Sequence, residues 1–280
     1  MREIIGKTLD EERALYGSND IEVRDCRFEG PQDGESALKE SSNVKVDGCY
    51  FDLRYPLWHD TRVIVENSEM TENCRAPLWY SREVIINHCK LHGIKTLREC
   101  NQIKIEDSDI ISTEFGWNNK DVIVEDVSAE GEYFMMNTKN IKMNRFSLKG
   151  KYSFQYIENA LFTDCTFDTK DAFWHAKNVI VRNCKIKGEY LAWYCENVTF
   201  DNCTIIGTQP LCYCKGLKLI NCEMIDCDLS FEKSEVEASI RNPIISIKNP
   251  TSGHITLPYA DSLIIDDPNA KCIITEEKRR

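Results

Sequence analysis

No stretch of this chain approaches the roughly eighteen consecutive apolar residues of a membrane-spanning helix. Its start, Met-Arg-Glu-Ile-Ile-Gly-Lys, has neither the apolar run nor the cleavage-like site of a signal peptide. An excess of positive charge is also missing: the 280 residues carry a net charge of −11, which argues against nucleic acid or an anionic membrane as the main partner. No segment has the composition of a disordered chain, and 42% hydrophobic residues are enough for a substantial core. No two cysteines form a C-x-x-C pair and none follows a standard zinc spacing, so neither a metal nor a cofactor is expected. The 14 cysteines, in a chain without a visible export signal, point to free thiols in a reducing compartment. A cytoplasmic protein is the expectation.

What the sequence does have is a repeat. Apolar residues that open a Val/Ile-x-Val/Ile run stand at Ile21, Val44, Val63, Val84, Ile103, Val122, Ile141, Ala160, Val179, Val198, Leu217 and Val236; the steps are 23, 19 and 21, then eight of 19. Two residues on lies a second apolar row (Val23, Val46, Val65, Ile86, Ile105), with mostly polar residues between, which is strand alternation with one buried face. Asp or Asn follows at the bend (Asp25, Asn67, Asp107, Asn183, Asn202, Asn221), where a left-handed backbone is tolerated. Cys26, Cys49, Cys89, Cys165, Cys184, Cys203 and Cys222 come five residues after their anchors and read as an inward stack of small hydrophobes.

A unit of this length, with short strands and no helical period, cannot bury its apolar face alone and must stack on copies of itself. Parallel stacking brings like residues to about 4.8 Å. Leucine-rich repeats would need an L-x-x-L-x-L-x-x-N motif, which is absent. The prediction is an all-β fold, a single right-handed parallel β-helix of about 19 residues per coil and roughly 12 or more coils. Residues 1–12 read as a lead-in, 13–243 as the coils, and 244–280 as closing strands and tail. Thr8-Leu9-Asp10-Glu11 has capping-box spacing that would suit a short helix over the open end.

Asn-Cys turns after Val-x-Val strands resemble the pectin-lyase-like right-handed β-helices. More closely, Gly-Glu-Ser-Ala-Leu-Lys-Glu (34–40), Arg-Tyr-Pro-Leu-Trp-His-Asp (54–60) and Gly-Thr-Gln-Pro-Leu-Cys-Tyr-Cys (207–214) resemble a bacterial β-helix family without an established activity. The resemblance covers nearly the whole chain. It implies a fold and brings no catalytic residues with it. Some members bear a hydrogenase label, which this sequence does not support, because its cysteines follow the structural repeat and form no C-x-x-C pair.

The segment before each anchor reads as a third strand, and it is the unusual one. All five tryptophans fall at one repeat position, in the row Tyr16, Lys39, Trp58, Trp79, Arg98, Trp117, Met136, Gln155, Trp174, Trp193, Cys212, Phe231. The row before it holds Leu38, Leu57, Leu78, Leu97, Phe154, Phe173 and Leu211. Lys39 and Arg98 would be very costly in a dry core, so the leucine row is assigned inward and the tryptophan row outward. The following row holds Glu40, His59, Tyr80, Glu99, Tyr156, His175, Tyr194 and Tyr213.

An exposed aromatic ladder usually has a use, and flat indole faces suit sugar rings. The favoured function is recognition, or processing, of a carbohydrate-like or polar extended ligand along this face; whether the chain is an enzyme stays open. Trp58, Trp79, Trp117, Trp174, His175 and Trp193 would line the ligand. Lys39, Arg54, Arg75, Lys95 and Arg98 would hold an oligosaccharide or an acidic small ligand. Glu40 and His59 are candidates for a general acid/base couple, with Glu99 as a further carboxylate. The insertion Gly30–Ser36 would act as a lid. The alternative is a non-enzymatic structural or assembly protein that uses the same face for self-association, as a homo-oligomer, or for a protein partner.

Overall fold

The computed structural model describes residues 1–30 and 35–277, so Pro31, Asp33 and Gly34 of the expected lid lie outside the described residues. Among the described residues the protein is all-β, a parallel β-solenoid with about 14 coils about 19 residues apart. It divides into two units, Met1–Lys142 and Met143–Arg280.

One coil shows how the sequence builds the rest. Thr61–Glu66 is a six-residue strand with Val63 and Val65 buried. Asn67, left-handed at φ 49°, makes the bend, and the short strand Glu69–Met70 follows. Val63 pairs in register with Val44 before it and Val84 after it. Val179 pairs with Val198 in the second unit, as the repeat requires. The cysteine stack is buried: Cys49 and Cys184 accept the amides of Cys26 and Cys165 at 3.4 and 3.3 Å. Burial pushes the Cys49 and Cys100 thiols up to about 12, which leaves them unreactive hydrophobes. All 14 cysteines are free.

Three sequence readings are corrected. Residues 2–9 are not a lead-in and form no helix: Arg2–Ile5 pairs with Asn19–Arg24, and Thr8–Leu9 with Arg27–Phe28, as a coil of their own. The polar Arg2 stands in the anchor row opposite Ile21, which hid this coil from an apolar search, while Ile4 packs on Val23. At the other end the strands Ile244–Lys248, Ser252–Leu257, Ala260–Ile264 and Ile273–Glu276 do form, although Gly253 occupies the anchor row opposite Val236.

The second correction concerns the supposed third strand, which is not extended. Tyr55, Leu57 and His59 are left-handed at φ 60°, 60° and 58°, and Ala76, Leu78 and Tyr80 repeat this at 54°, 60° and 60°. Strand backbone would alternate side chains in and out one by one. Left-handed residues at every second position instead send them in pairs, so Pro56 and Leu57 are buried while Trp58 is half-buried and His59 exposed. The segment still pairs coil to coil: the amides of Tyr55 and His59 donate to Arg75 and Trp79 of the next coil, and that of Leu57 donates back to Ala37, all at 2.9 Å.

The third correction is a one-residue slip. Phe231 belongs to the leucine row, because its amide donates to the Pro210 carbonyl as that of Leu78 donates to Pro56. It is fully buried, as is Cys212, whose thiol points to the Leu229 carbonyl in the coil that follows.

Candidate functional site

The paired geometry of this segment puts two aromatic rows on one face. In the first unit Trp58 and Trp79 stack with centroids 5.3 Å apart and planes 7° from parallel. Lys39 lies over the Trp58 ring at 5.4 Å, and the Arg98 guanidinium sits between Trp79 and Trp117, 4.6 Å from each. The tryptophan row is therefore a column of cations and indoles with their faces against one another. Each indole N–H is tied to a backbone carbonyl of the next coil: Trp58 to Ala76, Trp79 to Lys95, and Trp117 to Tyr133 at 2.5 Å. Beside this column His59 stacks on Tyr80 at 4.8 Å.

The charges at this end are largely matched. Glu114 accepts from Arg98 at 2.9 Å and pairs with Lys95 at 3.3 Å, and Arg54 pairs with Glu35 at 3.5 Å. Arg75 is exposed. Glu40 accepts a hydrogen bond from the Tyr16 hydroxyl, which raises the Tyr16 pKa. Among the described residues no hydrogen bond joins Glu40 to His59. Glu99 lies exposed in the same row, beyond Tyr80.

The second unit repeats the plan without a cation in the column. Trp174 and Trp193 stack at 5.4 Å and 2°, and their N–H groups donate to Tyr190 and Gln209 at 2.7 and 2.8 Å. The neighbouring row is a four-ring stack, Tyr156, His175, Tyr194 and Tyr213, with spacings of 4.8, 5.1 and 4.8 Å. Asp171 lies buried at the margin of this face, and that burial pushes its carboxyl up.

Sequence reasoning missed Tyr55, Tyr133 and Tyr190, which meet the indoles of Trp58, Trp117 and Trp193 edge-on at 5.0, 6.3 and 5.3 Å. The signal was weak, because their row also holds Ala76, Lys95, Glu114 and Asp171. The spacing Tyr-x-x-Trp at 55–58 and 190–193 could have shown it. The face has rings stacked to exclude ligands from between them, with ring edges, hydroxyls and imidazoles turned outward.

Residues 2–276 match the family described as "Protein of unknown function (DUF3737)". The chain belongs to this family. Its description names no activity, and no curated protein matches the chain. Among solved structures, the surface adhesin PfbA of Streptococcus pneumoniae aligns over 82% of this chain and 70% of its own, at 11% identity and a TM-score of 0.41. The periplasmic alginate epimerase AlgG aligns over 91% of this chain and 76% of its own, at 10% identity and a TM-score of 0.26. The catalytic domain of a GH87 α-1,3-glucanase, in complex with nigerose, aligns over 97% of this chain and 63% of its own, at 10% identity and a TM-score of 0.22. Likeness at this level does not speak to what the DUF3737 chain binds.

Proposed function

We propose that the aromatic face recognises an extended, oxygen-rich ligand of carbohydrate type, which it meets edge-on. The observation behind this reading is the direction of the rings. An aromatic ring is electronegative on its face and electropositive at its edge. Both faces of Trp58 and of Trp79 are taken, by one another, by Lys39 and by Arg98, and Trp117, Trp174 and Trp193 each have one face taken by Arg98 or by the stacked indole. A sugar laid flat on Trp58 or Trp79 would find no free face.

Solvent meets the edges instead, together with Tyr80, Tyr156 and Tyr194, which are 38%, 50% and 44% exposed. Electropositive edges and hydroxyls suit the hydroxyl and ring oxygens of a saccharide, and the rows offer the same chemistry once per coil, about every 4.8 Å. Glu40, His59 and Glu99 act here as hydrogen-bonding groups, and Lys39 and Arg75 favour acidic substituents at that end.

Thermal-shift and direct-binding screens with neutral and uronic polysaccharides test the reading. Binding should occur with at least one class and fall at least tenfold in a Tyr80→Ala/Tyr194→Ala variant that keeps its fold. If no polysaccharide binds and the chain self-associates in sedimentation, with Tyr194→Ala abolishing association, the face is an assembly surface. Its exposed Tyr and half-buried Trp also fit that second reading.

A further inference from the structure

Among the described residues the most deeply enclosed carboxylate is that of Asp60. Asp60 follows His59, but its side chain turns inward and is 1% exposed. Its Oδ1 accepts the Ser41 amide at 2.8 Å, while its Oδ2 is buried with no hydrogen-bond partner. An ionised carboxylate with an oxygen in that position would be heavily penalised.

The row that Asp60 occupies shows what the position requires. Most of its polar members both accept and donate, while Ser41 accepts the Ser18 amide. From the preceding coil the Cys100 amide donates to Asn119 Oδ1, the Asn119 amide to Thr138 and the Cys214 amide to Ser234. In the other direction seven side chains donate to a carbonyl of the leucine row: Ser81 to Leu57, Cys100 to Leu78, Asn119 to Leu97, Thr138 to Gly116, Cys195 to Phe173, Cys214 to Ala192 and Ser234 to Leu211, at 2.6–3.0 Å. Asn119 does both with one planar group, its oxygen accepting and its nitrogen donating. A carboxylic acid has the same shape and the same two functions, whereas a carboxylate can only accept. The carbonyl that corresponds to Asp60 is that of Leu38.

We propose that Asp60 is held as a neutral carboxylic acid that donates from Oδ2 to the Leu38 carbonyl, and that loss of this proton loosens the segment carrying Trp58 and His59. The electrostatic surroundings agree. Burial, and then the charge of Glu40 in the preceding coil, push the Asp60 carboxyl up to about 8 against the pull of the Ser41 amide. The following coil contributes the neutral Ser81 hydroxyl, which accepts the Asp60 amide. His59, the titratable neighbour in sequence, is turned outward onto Tyr80. The sign follows from proton counting. Between the ordinary aspartate pKa near 4 and about 8 the folded chain holds a proton that the unfolded chain has lost, so stability falls as pH rises through this window and levels off above it.

The test compares melting of the full chain and of Asp60→Asn, which supplies a permanent donor, from pH 5 to 9. The melting temperature of the variant minus that of the wild type should grow with pH by roughly 5–10 °C and flatten above pH 8. A difference that stays constant across the range overturns the proposal. Should the variant not fold, carboxyl ¹³C shifts of the wild type decide. An Asp60 signal still in the acid form at pH 6.5 supports the proposal, and one already ionised at that pH contradicts it.

Discussion

Each unit carries an aromatic face built on the same plan, and the two are filled in different ways. In the first, the column Lys39, Trp58, Trp79, Arg98, Trp117 places a cation on either side of a stacked pair of indoles, and Glu114 holds Arg98 and Lys95 from the side. In the second, Trp174 and Trp193 stack directly, and the adjoining row is four rings without a cation. A slot between two indoles favours a flat, polarisable group, and a guanidinium meets that demand as well as an indole. The shared requirement explains why Arg98 and tryptophans can occupy one repeat position. The difference shows which contacts should respond to salt.

Substitutions should affect the two units differently. Leu78→Ala, in the dry row beside Trp79, should cost about 2–5 kcal/mol in denaturant unfolding, because it opens a cavity between coils. Trp79→Ala should cost roughly 2 kcal/mol, for a lost stack on Trp58 and a lost N–H bond to Lys95. An equal or larger loss for Trp79→Ala would mean that the outer column, and not the leucine row, carries the coil. Arg98→Leu should cost about 1 kcal/mol at low salt, with the deficit shrinking as salt screens the Glu114 pair in the wild type. No substitution in the Trp174–Trp193 stack should show that salt dependence. If Trp193→Ala does, the distinction between the units fails.

Much of the fold could be read from spacing alone. Anchors such as Val179 and Val198 pair as their separation dictates, and the cost of burying Lys39 and Arg98 correctly turned the leucine row inward. Backbone was harder to read. Nothing in Tyr-Pro-Leu-Trp-His at 55–59 announces left-handed φ at every second residue, since Tyr, Leu and His rarely adopt it outside a stack that fixes them. That geometry set Trp58 and His59 side by side and covered the faces of Trp58 and Trp79, which changed the expected mode of contact from face to edge. Exceptions at the ends hid the rest: a polar Arg2 in the anchor row, and a slip that moved Phe231 inward.

In the proposed mode of binding, ring edges and not indole faces meet the ligand. An NMR titration of the chain with an oligosaccharide selected by the binding screen tests it directly. Ring C–H signals of Tyr156, His175 and Tyr194 should shift with saturation, while the indole N–H signals of Trp174 and Trp193, tied to Tyr190 and Gln209, should stay in place. Shifts confined to the indole N–H signals, or saturable binding that leaves every tyrosine and histidine edge unmoved, would contradict it.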